Sequence, residues 1–409
     1  MPEPAAKASR WPLKELAFVW GGNVLSKVMM FAATVYLANR LEVEGFGIFS
    51  TAFAVVNYIS LALFTGLDTL VTRESAGLCP ENAWAFSGKL FGFRRKLVNL
   101  AVVATALFAF FLGKGSREMG FTLLLFGLSF LFQQIYAVNL FYGLEWPGPI
   151  ACYFVGGRII YLALLFIFVK APGDLFWAAG AFTFAIAAEN LFLFFCLFFR
   201  YRKRRDDSLD VPEIKLKPAL LLTALTALLL LHENAPQFLV YLLRGDGEAG
   251  LYASSFRLIY TAVTFANLGG FVFLARFTKQ ARESEEKARV SYGKARYCAL
   301  ALGIALALAG YFSAGLVYDI LFKSSYQEGA NVLRAGVFQM ALVPTRVLAW
   351  QYCLVRGKAG KLAAPLLIGV LLSVGITSYL ILQNGAVGAA RGLFCGEAVI
   401  CALMLLGAR

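Results

Sequence analysis

Apolar residues are grouped along the chain into about twelve long stretches, which are separated by short polar or charged gaps. Most stretches approach the ~20 residues that an α-helix needs to cross a bilayer. This pattern predicts an all-α, polytopic membrane protein with about twelve transmembrane helices. The predicted helices are Leu16–Asn39, Phe46–Leu67, Leu97–Gly113, Met119–Gly143, Ile150–Val169, Leu175–Phe199, Pro218–Leu243, Ala249–Leu274, Tyr297–Leu321, Gly329–Val355, Leu362–Leu382 and Gly385–Leu406.

Basic residues concentrate in alternate gaps between the predicted helices. Of the 38 lysines and arginines, 26 lie in gaps on one side of the membrane and 6 on the other. The side richer in lysine and arginine faces the cytoplasm, so we expect both termini there, in a multi-pass protein of the inner cell membrane. The formal net charge of +14 then sets orientation and contacts anionic membrane lipids, and we expect no nucleic-acid partner.

A basic segment near the middle of the chain divides the predicted helices into two sets of six. We expect a cytoplasmic N-terminus at 1–15, an N-lobe of helices one to six at 16–199, a basic cytoplasmic linker at 200–217 and a C-lobe of helices seven to twelve at 218–409. The gaps between helices are too short to fold as separate domains. Any chemistry is therefore expected within the membrane or at its surfaces.

A weak internal repeat supports this division. The segments Arg40–Phe53 and Arg244–Phe256 follow the first and seventh predicted helices. They share an arginine, an acidic residue, a glycine, an aromatic residue and a phenylalanine when one gap is allowed. Six helices in each half give both halves the same orientation, which predicts two lobes related by a pseudo-two-fold axis along the membrane normal. Paired repeats of this kind are typical of transporters, with the substrate site between the lobes.

Short motifs of glycine and small aliphatic residues follow several of the predicted helices. They comprise Asn23, Leu37 to Leu41, Gly45 to Gly47, Ala52, Gly66, Leu67, Arg73, Glu74, Ala76, Gly250 to Ala253 and Gly385 to Ala390. In combination, and in helix number and loop pattern over the whole chain, they resemble the bacterial polysaccharide and O-antigen flippases. These proteins belong to the multidrug/oligosaccharidyl-lipid/polysaccharide flippase superfamily. The resemblance implies a transporter that moves a lipid-linked oligosaccharide across the membrane.

Ionisable residues inside the predicted helices are functional candidates, because each costs about 2.5–3.5 kcal/mol at bilayer depth. Lys27, Arg158 and Arg257 lie furthest from the helix ends, and a water-filled cavity accounts for them better than snorkelling does. Snorkelling is a stronger alternative near the helix ends, where the chain has Arg334, Arg346 and Arg391. We predict a cationic cavity that binds an anionic cargo, since arginine can bind phosphate in a bidentate manner. Its residues are Lys27, Arg158, Arg257, Arg334 and Arg391.

Acidic residues and the single histidine are candidates for ion coupling and gating. Predicted helix seven contains the most polar cluster, His232-Glu233-Asn234, with Pro236 nearby. Glu233 is the first candidate for a site coupled to H⁺ or Na⁺. The full set of coupling and gating candidates is Glu189, His232, Glu233, Glu397, Asp68 and Arg73. The alternative role is internal ion pairing with the buried cations, and pairs that break as the lobes move would serve both roles.

No cofactor other than a coupling ion is expected. The seven cysteines show no metal-ligand spacing, and most lie inside predicted helices. The one histidine, without a second histidine at metal-binding spacing, gives no zinc motif. The cysteines are interpreted as small apolar packing residues.

These features favour a transporter that flips a polyprenyl-pyrophosphate-linked oligosaccharide from the inner to the outer leaflet by alternating access. The partners are the lipid-linked oligosaccharide, membrane lipids and, as a further hypothesis, the polysaccharide polymerase machinery. The first alternative is a multidrug/cation antiporter of the related extrusion family, whose cavity should favour acidic and aromatic groups. The second is a membrane-embedded glycosyl polymerase or transferase, which usually needs a larger external loop than this chain contains. The preferred function is not enzymatic.

The predicted orientation can be tested with Ser208→Cys and Gly385→Cys in a background without native cysteines. An impermeant thiol reagent applied from outside should modify only the cysteine at position 385, because position 208 lies in the predicted cytoplasmic linker. Modification of position 208 instead would reverse the orientation of the whole chain.

Overall fold

The structure is a computed structural model that describes residues 13–76, 78, 82–202, 217–267, 284–356 and 362–407. Every regular element in these ranges is helical, which confirms the all-α prediction. The helices are α1 (Leu13–Ser75), α2 (Ala83–Gly113), α3 (Arg117–Gly127), α4 (Ser129–Gln133), α5 (Val138–Gly143), α6 (Pro147–Phe168), α7 (Leu175–Tyr201), α8 (Lys217–Arg244), α9 (Asp246–Asn267), α10 (Glu285–Leu321), α11 (Gly329–Gly336), α12 (Gln339–Val355) and α13 (Ala363–Gly407). Short 3-10 turns precede α7 and α11.

The described residues include seven helices long and apolar enough to cross a membrane, or eight if the bent pair α11–α12 is one span. Two of these helices each contain two predicted ones. α1 breaks at Glu42, where φ is 60°, and α13 breaks at Asn384 and Gly385, where φ of the glycine is 54°. Predicted helices seven and eight correspond to α8 and α9, although the predicted residues 268–274 lie outside the described ranges. The architecture is consistent with the predicted twelve helices.

Two helices that the sequence predicts as continuous are interrupted. Predicted helix four consists of α3, α4 and α5, and predicted helix ten consists of α11 and α12 with a bend of 41° between them. At the first interruption the carbonyl of Gln133 accepts a hydrogen bond from Arg94 at 3.5 Å. A donor from another helix satisfies a backbone group that the break removes from the helix ladder, which hydropathy alone does not reveal.

The basic segment Arg94 to Lys96, predicted as a cytoplasmic loop, is also helical. It lies in α2, which begins at Ala83 rather than at the predicted Leu97. Arg94 is almost completely buried. The prediction of a loop is wrong. Three consecutive basic residues lower the hydropathy of this segment, but a helix accommodates Arg94 here because it pairs with Asp68.

The chain forms two compact units. The first unit comprises Met1–Ala33, Leu63–Val169 and Phe176–Leu220, and the second comprises Thr34–Ala62, Lys170–Leu175 and Leu221–Arg409. Each unit has its own apolar cluster. Residues of α2, α5 and α7 contribute to the cluster of the first unit, and residues of α8, α10, α12 and α13 to that of the second. The predicted boundary at 200–217 stays a prediction.

The two segments of the predicted repeat meet inside the second unit. A Cβ on Gly47 would collide with the carbonyl of Asp246, and a Cβ on Gly250 would collide with the carbonyl of Val43. One sequence offset relates Gly47 to Gly250 and Val43 to Asp246, so the two contacts are reciprocal. The same offset relates the two helix breaks at Glu42 and Gly245, where φ is 60° and 87°. Reciprocal contact of this kind is what two copies of one repeat produce around a local two-fold axis.

The break at Gly385 affects the choice of a labelling position. A Cβ at this residue would lie 2.6 Å from a carboxylate oxygen of Glu248, and its φ is in the left-handed region. A cysteine there is strained. Gly115, in the predicted external gap between α2 and α3, is exposed, and a Cβ there meets only the carbonyl of Leu112 at 3.7 Å. Gly115→Cys is therefore the better external position for the labelling test.

Candidate functional site

The second unit contains a buried network of charged and polar side chains. His232 and Glu233 lie on α8, Arg346 lies on α12, and Ser373 and Glu397 lie on the two parts of α13. His232, Arg346, Ser373 and Glu397 are all buried. The sequence predicted His232, Glu233 and Glu397 as coupling candidates, and the structure brings these three together.

Arg346 connects the two carboxylates of the network. Its Nε donates to Glu397 Oε1 at 2.5 Å, and its Nη2 donates to Glu233 Oε1 at 2.7 Å. The other carboxylate oxygen of Glu397 lies 3.1 Å from Nε2 of His232. Glu397 is thus held between a guanidinium and an imidazole, so both of its oxygens have partners.

Ser373 completes the environment of the histidine. Its hydroxyl lies 2.7 Å from Nδ1 of His232, so both ring nitrogens are in hydrogen-bonding contact. A Cβ on Gly396 would collide with the Ser373 hydroxyl and would lie 3.0 Å from Cε1 of His232. Glycine at this position is therefore needed for α13 to approach the histidine.

The charges of this network balance only when it holds a proton in addition to the permanent charge of Arg346. Two ionised carboxylates face one guanidinium, so a neutral His232 leaves one negative charge in excess. Protonation of His232 or of a carboxylate removes that excess, and low-dielectric surroundings favour the balanced state. Because 28% of the Glu233 side chain remains exposed while Glu397 is buried, Glu233 is the end of the network that is open to its surroundings.

The first unit contains two further ion pairs, each with one buried and one partly exposed member. Asp68 on α1 pairs with Arg94 on α2. The guanidinium of Arg94 also lies over the rings of Phe64 and Tyr136, at 5.3 Å and 4.7 Å from their centroids. Asp68, predicted as a gating residue, therefore belongs to an ion pair that ties α1 to α2. The side chain of Arg73, the other gating candidate, lies outside the described part of the structure.

Arg158 on α6 and Glu189 on α7 form the second pair, with 3.6 Å between Nη2 and Oε1. A Cβ on Gly157 would collide with the side chain of Glu189, so the glycine leaves the space that this carboxylate fills. Arg158 was predicted to bind cargo and Glu189 to couple ions. The structure places the two in contact.

The remaining predicted cations are Lys27, Arg257, Arg334 and Arg391. Lys27 is an exposed residue of the first unit. In the second unit, Arg257 lies 4.7 Å over the ring of Phe53, Arg334 donates to Asn331 at 2.9 Å, and Arg391 is exposed. Because the five predicted cations are distributed over two units, their convergence in one cavity stays a prediction.

Sequence reasoning did not place Arg346 or Ser373 in the site. Arg346 lies close to one predicted helix end, where snorkelling was an alternative, but the structure buries it in α12. The sequence signal for Arg346 was that it occurs in the same half of the chain as two acidic coupling candidates, Glu233 and Glu397. Ser373 is one hydroxyl in an apolar helix and gave no comparable signal.

The chain belongs to the polysaccharide biosynthesis protein family, whose profile matches residues 13–268. It is also similar to the EPS I polysaccharide export inner membrane protein EpsE of Ralstonia solanacearum. The two are 25% identical over 409 residues, with 94% of this chain and 90% of that protein covered. EpsE of Ralstonia nicotianae is equally similar, at 25% over 407 residues.

Solved structures of transporters share the fold. An inward-facing multidrug resistance MATE family transporter of the MOP superfamily has a TM-score of 0.73 at 15% identity, covering 93% of each chain. The lipid II flippase MurJ in an inward closed conformation has a TM-score of 0.71 at 12% identity, covering 95% of this chain and 86% of MurJ. The protein is therefore a polytopic membrane protein with the transporter fold of this superfamily, as the resemblance in the sequence implied.

The network predicts an unusual response to substitution of Arg346. Arg346→Met should lower the free energy of unfolding by about 3–5 kcal/mol, because it leaves buried carboxylates without a counter-charge. Adding Glu233→Gln and Glu397→Gln should restore much of the loss. Apparent Tm in detergent measures both effects, with Arg391→Met as the exposed control. A triple variant that is no more stable than Arg346→Met would contradict the neutralisation argument.

Proposed function

We propose that the protein moves a polyprenyl-pyrophosphate-linked oligosaccharide from the inner to the outer leaflet of the inner membrane by alternating access. The observation that carries this proposal is family membership, together with nearly full-length similarity to a relative named for polysaccharide export in the inner membrane. The shared fold with a lipid II flippase agrees with it. The distribution of basic residues favours a cytoplasmic position for both termini.

Arginines inside the membrane favour an anionic cargo over an organic cation. The fold is shared with MATE transporters as well as with a flippase, so the fold alone does not separate the two functions. The acidic side chains of the network already contact Arg346, and Glu189 contacts Arg158. A cavity for organic cations would need carboxylates that are available to the drug. Phosphate fits the arginines, since it can accept two parallel hydrogen bonds from one guanidinium.

The relatives named as exporters and flippases also favour a transporter over a membrane enzyme. A glycosyl polymerase or transferase is the weaker alternative, because the predicted external gaps are short. The partners of the proposed function are the lipid-linked oligosaccharide and membrane lipids. We further propose that the cargo passes to the polysaccharide polymerase machinery on the outer side.

A proton is the coupling ion that the second unit fits best. The network balances its charge by one proton, and its carboxylate oxygens already accept hydrogen bonds from Arg346. Sodium would have to compete with that guanidinium for the same oxygens, whereas a proton would need only His232 or one carboxylate. The partly exposed Glu233 provides the route by which the proton enters or leaves.

Substitutions of the proposed cavity arginines should impair export in cells. Arg257→Ala, and Arg158→Ala combined with Glu189→Gln so that no buried carboxylate is left without a counter-charge, should reduce surface polysaccharide below the level of Glu189→Gln alone while protein abundance in the membrane is unchanged. Arg→Lys at either position should rescue only partly, because a point charge lacks the bidentate geometry. Arg117→Ala, an exposed arginine, is the control. Normal export by both alanine variants at wild-type abundance would exclude the cationic cavity.

The coupling proposal is tested in vesicles with an imposed pH or Na⁺ gradient. Glu233→Gln should retain cargo binding and lose the response of transport to a pH gradient, because the network can no longer exchange its proton at the exposed end. Glu286→Gln on α10 serves as a control at an exposed acid. A response that survives in Glu233→Gln would move the coupling role to Glu189 or Glu397. A wild-type protein without any gradient response would be a facilitated flippase.

A further inference from the structure

The Arg158–Glu189 pair of the first unit has fewer hydrogen bonds than the network around Arg346 in the second unit. The shortest distance between Arg158 and Glu189 is 3.6 Å, which is beyond the range of a direct hydrogen bond. Both carboxylate oxygens of Glu189 and Nη1 of Arg158 are buried and have no hydrogen-bond partner among the described residues. Glu397, by contrast, has a partner at each oxygen.

The surroundings of Glu189 offer few other charges. Arg158 and Tyr153 face it from α6, and Tyr136 faces it from the connection between α4 and α5. Arg158 is the single cation among these groups. The Tyr153 hydroxyl interacts with the carboxylate, but neither carboxylate oxygen has a regular hydrogen bond. A buried carboxylate with so few donors loses most of the solvation that it had in water, and such a group is costly in its charged form.

We propose that a proton and a cargo phosphate exchange at this pair. The Glu189 carboxylate takes up a proton that enters past the partly exposed side of Arg158, becomes a neutral acid and loses its attraction for Arg158. The guanidinium then binds phosphate oxygens of the cargo. Loss of the proton restores the carboxylate, which takes Arg158 back and displaces the phosphate. This inference rests on the proposed function, because it assumes a cargo that carries phosphate.

The charge count is the same before and after this exchange. The resting pair contains one guanidinium and one carboxylate. The loaded pair contains the same guanidinium, a neutral acid and one phosphate charge. A pyrophosphate diester carries two negative charges, so the exchange neutralises one of them at the pair and avoids the cost that this charge or the arginine alone would incur.

Arg158 has the geometry that such an exchange needs. Nη1 has no acceptor and Nη2 is only loosely held, so one guanidinium edge can donate two parallel hydrogen bonds. The side chain remains 18% exposed, whereas that of Glu189 is fully buried. Because Nη1 is itself buried, the guanidinium must turn toward this exposed side to donate both hydrogen bonds to a phosphate, and the carboxylate stays behind it. Arg346 is unsuited to this role because two of its nitrogens already bind carboxylates.

The test uses farnesyl pyrophosphate as the probe and the full-length protein in detergent. Affinity is measured from mildly acidic to mildly alkaline pH, together with proton uptake from weakly buffered solution on binding. The wild type should lose about tenfold in affinity for each pH unit above the point at which Glu189 ionises. Glu118→Gln, which changes an exposed acid of the same unit, corrects for titration of the probe itself.

Glu189→Gln imitates the protonated acid and should bind the probe more tightly than the wild type at alkaline pH. It should also lose the proton uptake that the wild type and Glu118→Gln share. If Glu189→Gln does not fold, Arg158→Gln provides the second variant, and it should bind weakly without that uptake.

The outcomes separate this inference from the proposed function. Tight binding by Glu189→Gln with the pH dependence and proton uptake of the wild type would overturn the exchange at Glu189 and leave the phosphate cargo in place. Wild-type affinity and proton uptake in Arg158→Gln would likewise overturn the exchange at Glu189 and leave the phosphate cargo in place. A wild type and a Glu189→Gln that both fail to bind the probe would instead overturn the phosphate cargo, and the exchange with it.

Discussion

The double contact of Arg346 with Glu397 and Glu233 represents the constraint on which the rest of this structure depends. A charge at bilayer depth is tolerated when an opposite charge from a neighbouring helix neutralises it. In the second unit that requirement joins α8, α12 and α13 through one guanidinium. In the first unit it joins α1 to α2 through Asp68 and Arg94. The charged residues therefore hold the helices in register as well as supplying candidate chemistry.

Each half of the chain has a buried carboxylate that pairs with an arginine, but the two carboxylates differ in how completely they are hydrogen-bonded. Glu189 lies on the last helix of the first half and Glu397 on the last helix of the second, and each pairs with an arginine from another helix. Glu397 is fully hydrogen-bonded, which suits a proton store that stays assembled. Glu189 is not, which suits a contact that opens and closes. Arg158 lies on the fifth predicted helix of the first half and Arg346 on the fourth of the second, so the two pairs do not occupy equivalent positions of the repeat.

Hydropathy and charge predicted most of the fold and half of the site. Long apolar stretches are sufficient to locate helices, and His232, Glu233 and Glu397 were recognisable because polar groups at membrane depth are rare. The helix break at Glu42 falls in the predicted gap between the first two helices. The break near Gln133 was not recognisable, since a side chain that is distant in the sequence contacts it. The same is true of Arg94 and Arg346, whose partners lie far away in sequence. One sequence shows which charges are costly, but it does not show which of them meet.

The most direct test of the account is leaflet-to-leaflet movement of cargo by the purified protein. Vesicles would contain the protein and a prenyl-pyrophosphate lipid with a labelled sugar, and exposure of the sugar to an external saccharide-cleaving enzyme would be followed with and without a pH gradient. Export of an organic cation would be followed in the same vesicles. The account predicts protein-dependent exposure of the sugar that the gradient alters, with no cation movement. Gradient-driven movement of the cation without exposure of the sugar would contradict it.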